Sequence, residues 1–124
     1  MHPKGKQGFL YSVKHALRGC MLLFGTERNA KIHLVCFLLV IAAGAYFEID
    51  RTEWMIVLLA SGAVIAAEAM NTAIEGTIDL LHPHFHEKAG RIKDISAGAV
   101  LIVTIAAIAC GVIIFYSRIK MLFL

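Results

Sequence analysis

The stretch V-I-A-A-E-A-M-N-T-A-I-E-G-T-I-D at residues 64–79 decides the fold, because it sets polar side chains into an apolar helix that begins near Trp54. At roughly 100° per residue, four of these side chains fall within about 80° of one another on the helix surface. They form what we call the acidic stripe: Glu68, Asn71, Glu75 and Asp79. Ionisable groups at membrane depth are costly and usually face protein, a partner charge or a metal. The acidic stripe is therefore the predicted functional site.

The composition is that of a small membrane protein. Of the 124 residues, 59% are hydrophobic, and the mean hydropathy is +0.74. The apolar residues come in long blocks, which predict an all-α integral membrane protein forming one unit over residues 1–124. The basic residues flank apolar spans without forming a basic, aromatic-rich surface, which argues against nucleic-acid binding. The three cysteines lie far apart and are interpreted as packing residues.

The first predicted element is an amphipathic helix over residues 9–24. Apolar side chains recur there at three- and four-residue spacing, while Lys14 and Arg18 share another face. This pattern is typical of a helix on the membrane surface with cations directed to lipid head groups, and packing on its own bundle fits the pattern equally well. Thr26 is predicted to cap the next helix.

Three apolar segments predict three membrane-spanning helices. Their predicted bounds are about 32–47, 54–81 and 96–117. Lys and Arg number six in the first 31 residues and three in 82–93, against one in 48–53 and two at the C-terminal end. The positive-inside rule then places the N-terminus and the 82–93 loop in the cytoplasm. The lower end of the acidic stripe is expected at the cytoplasmic face.

The carboxylates of the acidic stripe are expected at two different depths in the membrane. A span of roughly 20 residues from Trp54 ends near residue 74, which leaves Glu68 on the order of 9 Å inside the cytoplasmic leaflet. Loss of water makes a carboxylate a stronger proton acceptor, which suits general-base chemistry near neutral pH. Glu75 lies at the interface, where a carboxylate suits Mg²⁺ held together with phosphate oxygens.

Residues outside the acidic stripe complete a possible phosphoryl-transfer site. Glu27 could supply a second carboxylate, Lys93 a phosphate-binding cation and Asp94 a further acceptor. Phosphoryl transfer depends mostly on positioning and charge neutralisation, so a small helical scaffold can support transfer to a lipid alcohol. The chain has neither a P-loop nor a protein-kinase glycine loop, so any nucleotide site must be of another design.

Other interpretations stay open at this point. Buried Glu and Asn side chains could form hydrogen bonds between helices that stabilise a non-enzymatic membrane assembly protein. An ion pathway is a third possibility, although residues 55–67 offer only Ser61 as a polar side chain. The alternating His82, His84 and His86 give only a weak zinc signal, and a loop that contacts nucleotide or simple exposure to solvent fits them better.

Two segments closely resemble the signature of the bacterial integral-membrane diacylglycerol kinase family. They are E-A-M-N-T-A-I-E-G-T-I-D at 68–79 and K-D-I-S-A-G-A-V-L at 93–101. T-E-R-N-A-K-I-H at 26–33 and E-W at 53–54 resemble the undecaprenol kinase branch of that family. The resemblance covers roughly residues 9–115.

The resemblance implies a membrane lipid kinase that uses ATP as phosphate donor and Mg²⁺ as cofactor. It further implies a homotrimer in the bacterial inner membrane, with a surface helix and three spans per subunit and with active sites shared between subunits. The implied acceptor is the lipid alcohol undecaprenol, and diacylglycerol is the alternative.

Carried over by position, the resemblance also implies residue roles. Glu68 would be the general base for the lipid hydroxyl, and Glu27 and Glu75 would bind Mg²⁺ with the ATP phosphates. Counting back from Glu27, His15 takes the place of a nucleotide-contacting tyrosine of the family's proteobacterial branch. The other residues implied to hold or contact the nucleotide are Asn71, His84, Phe85, His86, Lys93 and Asp94.

Overall fold

The computed structural model describes residues 8–124, which form four α-helices joined by short connections. Their bounds are α1 Phe9–Thr26, α2 Arg28–Tyr46, α3 Arg51–Leu81 and α4 Glu87–Leu122. No strand occurs in this range, which confirms the all-α prediction. The helices α2, α3 and α4 are each long and apolar enough to cross a membrane, and α1 precedes them.

The junction between α1 and α2 lies at Glu27, and the prediction for Thr26 is wrong. Thr26 is the last residue of α1, and its hydroxyl donates to the carbonyl oxygen of Leu22 at 2.7 Å. Because this hydroxyl bonds back onto its own helix, it does not cap α2. Glu27 has an extended backbone and serves as both the C-cap of α1 and the N-cap of α2, without a side-chain cap bond.

A Schellman motif ends α2. The backbone N–H of Ile49 donates to Gly44 O at 3.1 Å, and that of Glu48 donates to Ala45 O at 3.4 Å. Glu48 takes the left-handed conformation of this motif, with φ 50°. Ile49 is buried against the end of the helix, so the chain turns sharply and returns as α3.

A capping box starts α3 three residues before the predicted beginning of that helix at Trp54. Asp50 Oδ1 accepts from the backbone N–H of Glu53, and Glu53 Oε2 accepts from that of Asp50, both at 2.9 Å. These two bonds satisfy N–H groups that a helix start otherwise leaves free. The cap thus extends α3 beyond the segment marked by hydropathy.

Another cap extends α4. This helix begins at Glu87, nine residues before the predicted start of the third span at residue 96. His86 is the N-cap residue, and its Nδ1 accepts from the backbone N–H of Ala89 at 3.3 Å. The polar turns over 87–95 therefore belong to the same helix as the apolar span.

The hydrophobic core lies where α2 ends, α3 begins and α4 ends; we call this the far end of the bundle. Its buried members are Ile49, Val57, Ile114 and Phe115, with Val40, Ala43, Phe47 and Trp54 packed against them. Arg118 of α4 donates to both carboxylate oxygens of Glu53 on α3, at 2.9 and 2.8 Å. The opposite end, where α2 begins, α3 ends and α4 begins, carries the acidic stripe and is called the site end.

Candidate functional site

Burial decreases along the acidic stripe towards the end of α3. Glu68 is 4% exposed, Asn71 and Glu75 are half-buried, and Asp79 is exposed. The spacing of these residues keeps them on one side of α3, because each lies three or four residues after the one before. The stripe thus runs from the packed interior to the open site end.

The buried carboxylate of Glu68 has a partner on another helix. His33, near the start of α2, places its Nε2 at 3.2 Å from Oε1 of Glu68. The two side chains are 21% and 6% exposed, respectively. The start of α2 therefore supplies a polar partner for a carboxylate that lies out of water.

Asn71 carries a polar atom without a partner. Its Oδ1 is buried and accepts no hydrogen bond from the residues of the 8–124 range. Native proteins leave few buried acceptors unpaired, so such an atom marks a place where a further donor fits. Asn71 follows Glu68 by about one helical turn, which puts this open acceptor beside the buried carboxylate.

An ion pair links α3 to α4 at the site end. Lys93 Nζ donates to Asp79 Oδ1, and the Lys93 side chain is 34% exposed. The next residue, Asp94, is exposed. The structure thus brings Lys93 to the lower end of the acidic stripe, where it is paired with a carboxylate.

The carboxylates predicted to bind Mg²⁺ are chemically available. In the described part of the chain, the side chains of Glu27 and Glu75 make no hydrogen bond or ion pair, whereas Glu53, Glu68 and Asp79 each have a partner. Over the same residues, no three His, Cys, Asp or Glu side chains gather into a metal-binding group. Two free carboxylates fit Mg²⁺, which takes its other ligands from phosphate oxygens and water, better than a metal held by protein alone.

The 82–86 loop is open to solvent. His84 is exposed and Phe85 is 97% exposed. His86 caps α4 and lies against His82, with ring centroids 4.5 Å apart. Of the predicted nucleotide-contacting residues in this loop, one thus has a structural role and the other two are fully available.

His15 lies on the exposed surface of α1. Its ring packs on Tyr11, with centroids 4.3 Å apart and an interplanar angle of 60°. The helix α1 contacts both α2 and α3, but among residues 8–124 no hydrogen bond or ion pair connects His15 to the acidic stripe. The structure therefore places His15 in an aromatic pair on α1, without a bonded contact to the acidic stripe among the described residues.

Sequence reasoning missed His33. The signal was present, because His33 is the one residue of the predicted span 32–47 with an imidazole, carboxylate, ammonium or guanidinium group. An ionisable side chain inside a predicted span is itself a sign of function. Its pairing with Glu68 follows only from the packing of α2 on α3.

Comparisons with known proteins show to which family the chain is similar. A family model described as prokaryotic diacylglycerol kinase matches residues 14–115. The undecaprenol kinase of Bacillus subtilis is 36% identical over 110 residues, 89% of each chain. A diacylglycerol kinase of Synechocystis is 36% identical over 103 residues, 82% of this chain and 59% of the relative. The diacylglycerol kinase of Escherichia coli K12 is 30% identical over 114 residues, 90% and 93% of the two chains. The chain therefore belongs to the prokaryotic diacylglycerol kinase family and is a membrane lipid kinase.

Proposed function

We propose that this lipid kinase transfers the γ-phosphate of ATP to the terminal hydroxyl of undecaprenol, in a Mg²⁺-dependent reaction at the cytoplasmic face of the bacterial inner membrane. The observation that carries the proposal is the Glu68 carboxylate, which is 4% exposed in an apolar helix and lies 3.2 Å from Nε2 of His33. The free carboxylate of Glu75 lies two turns further along the same helix face. A buried proton acceptor beside an open acidic surface suits a lipid hydroxyl that meets a water-soluble phosphate donor.

The choice of undecaprenol rests on local segments rather than on overall identity. Relatives of equal identity carry the names undecaprenol kinase and diacylglycerol kinase. The segment T-E-R-N-A-K-I-H at 26–33 resembles the undecaprenol kinase branch, and this segment contains both Glu27 and His33. Diacylglycerol is the alternative acceptor.

In the proposed reaction, Glu68 acts as general base. The O–H bond of the lipid hydroxyl breaks and its proton passes to the Glu68 carboxylate, while the lipid oxygen forms a bond to the γ-phosphorus. The bond from the γ-phosphorus to the bridging oxygen breaks, and ADP leaves. Because Glu68 lies within the membrane span, it suits a hydroxyl attached to a chain held in the bilayer.

The remaining residues would bind and orient the phosphate donor. Glu27 and Glu75 would hold Mg²⁺, which when bound neutralises charge on the ATP phosphates. Lys93 would exchange its bond to Asp79 for one to a phosphate oxygen. The open acceptor of Asn71 would receive a hydrogen bond from the bound substrates.

Further contacts to the nucleotide would come from outside α3. The exposed residues assigned to this role are His15, His84, Phe85, His86 and Asp94. An exposed aromatic side chain such as Phe85 offers a flat surface for a base, and stacking of this kind tolerates any base.

We also propose that the active unit is a homotrimer. In the single chain, only 11–17% of each apolar span is buried, so most of the helical surface is covered by lipid or by other subunits. The free carboxylate of Glu27 is consistent with a site completed by a neighbouring subunit.

The proposal is tested by phosphate transfer from labelled ATP to undecaprenol and to diacylglycerol, measured side by side in mixed micelles with and without Mg²⁺. Transfer to undecaprenol that stops when Mg²⁺ is removed is the expected result. A preference for diacylglycerol would overturn the choice of lipid, and transfer without Mg²⁺ would overturn the metal requirement. Transfer to neither lipid by a folded oligomer would contradict the proposal as a whole.

A further inference from the structure

We propose that His33 is a positioning residue that holds the carboxylate of Glu68 in the orientation in which it receives a proton. The inference rests on the proposed role of Glu68 as general base. It assigns a function to the start of α2, where the proposed mechanism otherwise uses only the preceding residue, Glu27.

The geometry isolates these two side chains as a pair. The 3.2 Å contact between Nε2 and Oε1 is the one hydrogen bond or ion pair that either side chain makes among the described residues. Ala30, one turn before His33 on the same face of α2, is completely buried. A small residue at this point allows close packing of α2, which holds His33 at a fixed distance from α3.

A carboxylate at this depth needs such a partner. A carboxylate removed from water is costly to bury without a polar partner. The contact with Nε2 of His33 supplies that partner. It also restricts rotation of the carboxylate, as an orienting partner does for a catalytic base.

The side chain of His33 contacts Oε1 of Glu68, and the proposed mechanism gives it no contact with the lipid or with ATP. Its loss should therefore change turnover and leave the binding of both substrates intact. We expect His33→Leu, which keeps apolar volume but removes the donor, to lower kcat about 30-fold with KM values for ATP and lipid within about twofold.

The matched variant His33→Gln distinguishes the loss of a hydrogen-bond donor from the loss of the imidazole ring. The glutamine amide can place a donor near the position of Nε2 without the imidazole. We expect its kcat to recover to within about fivefold of the wild-type value. A wild-type kcat in His33→Leu, or equal losses in the Leu and Gln variants, would overturn the inference. Both variants are compared with the wild type by size-exclusion chromatography, so that a loss of assembly is recognised.

A second measurement does not depend on the identity of the lipid. A hydrophobic carbodiimide such as dicyclohexylcarbodiimide reacts with carboxyl groups in an apolar environment, and mass spectrometry locates the adduct. In the nucleotide-free protein we expect His33→Leu to increase modification of Glu68 about tenfold over the wild type, because Oε1 loses the partner that covers it, and His33→Gln to increase it much less. Glu68→Gln identifies the background.

The two measurements distinguish the possible failures. Unchanged carbodiimide modification of Glu68 in His33→Leu would overturn the inference even if the enzyme is an active undecaprenol kinase. A wild-type protein that phosphorylates neither lipid, but shows the predicted change in modification, would contradict the proposed function and leave the pairing of His33 with Glu68 in place.

Discussion

The carboxylates of this protein differ chiefly in their partners. Glu53 is bound by Arg118, Asp79 by Lys93 and Glu68 by His33. Glu27 and Glu75 make no such contact within residues 8–124. A carboxylate that is already bound by a cation is a poor choice for a metal ligand, whereas a free one is available to Mg²⁺. The pattern of pairing thus distinguishes Glu27 and Glu75, the two residues assigned to the metal, from the paired carboxylates Glu53, Glu68 and Asp79.

The metal assignment predicts the behaviour of Glu75→Gln. Removing one anionic ligand should raise the Mg²⁺ concentration needed for half-maximal activity by about tenfold, at saturating ATP. The measurement is a Mg²⁺ titration of phosphate transfer. Glu87→Gln is the matched control, because Glu87 is exposed and pairs with Arg91 on the same helix. An unchanged Mg²⁺ requirement in Glu75→Gln would remove this residue from the metal site.

At the scale of single residues, the sequence predicts which side chains lie together within one helix, but much less about contacts between helices. The acidic stripe could be predicted because the 3.6-residue period fixes which side chains of α3 share a face. The contacts of His33 with Glu68 and of Lys93 with Asp79 depend on how far one helix is displaced along another. That displacement is set by packing over the whole bundle, which the period of a single helix does not specify.

The close packing between the end of α2 and the start of α3 depends on a glycine. A Cβ atom added at Gly44 would lie 2.8 Å from Cη2 of Trp54 and 2.9 Å from Cδ1 of Ile49. We expect Gly44→Ala to lower the free energy of unfolding in detergent by about 1–3 kcal/mol, because the indole has to move. The measurement is equilibrium denaturation of the purified protein in micelles.

Gly19 on α1 provides the control for this substitution. A Cβ atom there meets nothing within 4 Å, so Gly19→Ala should be neutral or stabilise the helix by up to about 1 kcal/mol. Trp54→Phe removes the atom that the new methyl group approaches most closely. The cost of Gly44→Ala should therefore be smaller in a Trp54→Phe background, and full additivity of the two substitutions would contradict the packing described.

A second contact at the far end joins α3 to α4. The Arg118 guanidinium binds both oxygens of Glu53, and Glu53 also completes the capping box with Asp50. We expect Glu53→Gln and Arg118→Gln each to lower the thermal midpoint, because each leaves a charge without its partner. The double variant should unfold at about the same temperature as the worse single variant. Additive losses would show that the two side chains act independently.

The helices α3 and α4 are longer than the spans predicted from hydropathy. The predicted spans follow the apolar residues, whereas α3 and α4 begin earlier, at polar caps formed by Asp50 and His86. These caps lie outside the apolar segments, so a pattern of hydrophobicity does not mark them. Thr26 has a residue type favoured at helix starts, yet it bonds back to Leu22 and ends α1 instead.

At the scale of the molecule, the proposed orientation depends on the distribution of Lys and Arg along the chain. Nine of these residues lie on the side proposed to be cytoplasmic, in the first 31 residues and in 82–93, and three lie on the other side. Two of those three, Arg118 and Lys120, are near the C-terminal end and count against the orientation. Arg118 is paired with Glu53, but the rule counts basic residues rather than net charge, so this pairing leaves the count unchanged.

The overall fold was predictable because three long apolar segments leave few alternatives to membrane-spanning helices. The assembly was not, because a helical surface that faces lipid and one that faces another subunit are both apolar. Large exposed side chains such as Leu59 and Ile113, at 75% and 79% exposure, fit either environment. The proposed homotrimer therefore rests on the family and not on hydropathy.

The central claim is that a lipid hydroxyl is deprotonated by the buried carboxylate of Glu68, and turnover of Glu68→Gln tests it most directly. The substitution keeps the shape of the side chain and removes the base, so we expect the rate of phosphate transfer to fall by about 10²–10⁴-fold. Size-exclusion chromatography should show an oligomer of wild-type mass. Wild-type turnover in this variant would contradict the account, and dissociation of the oligomer would indicate that Glu68 serves assembly instead.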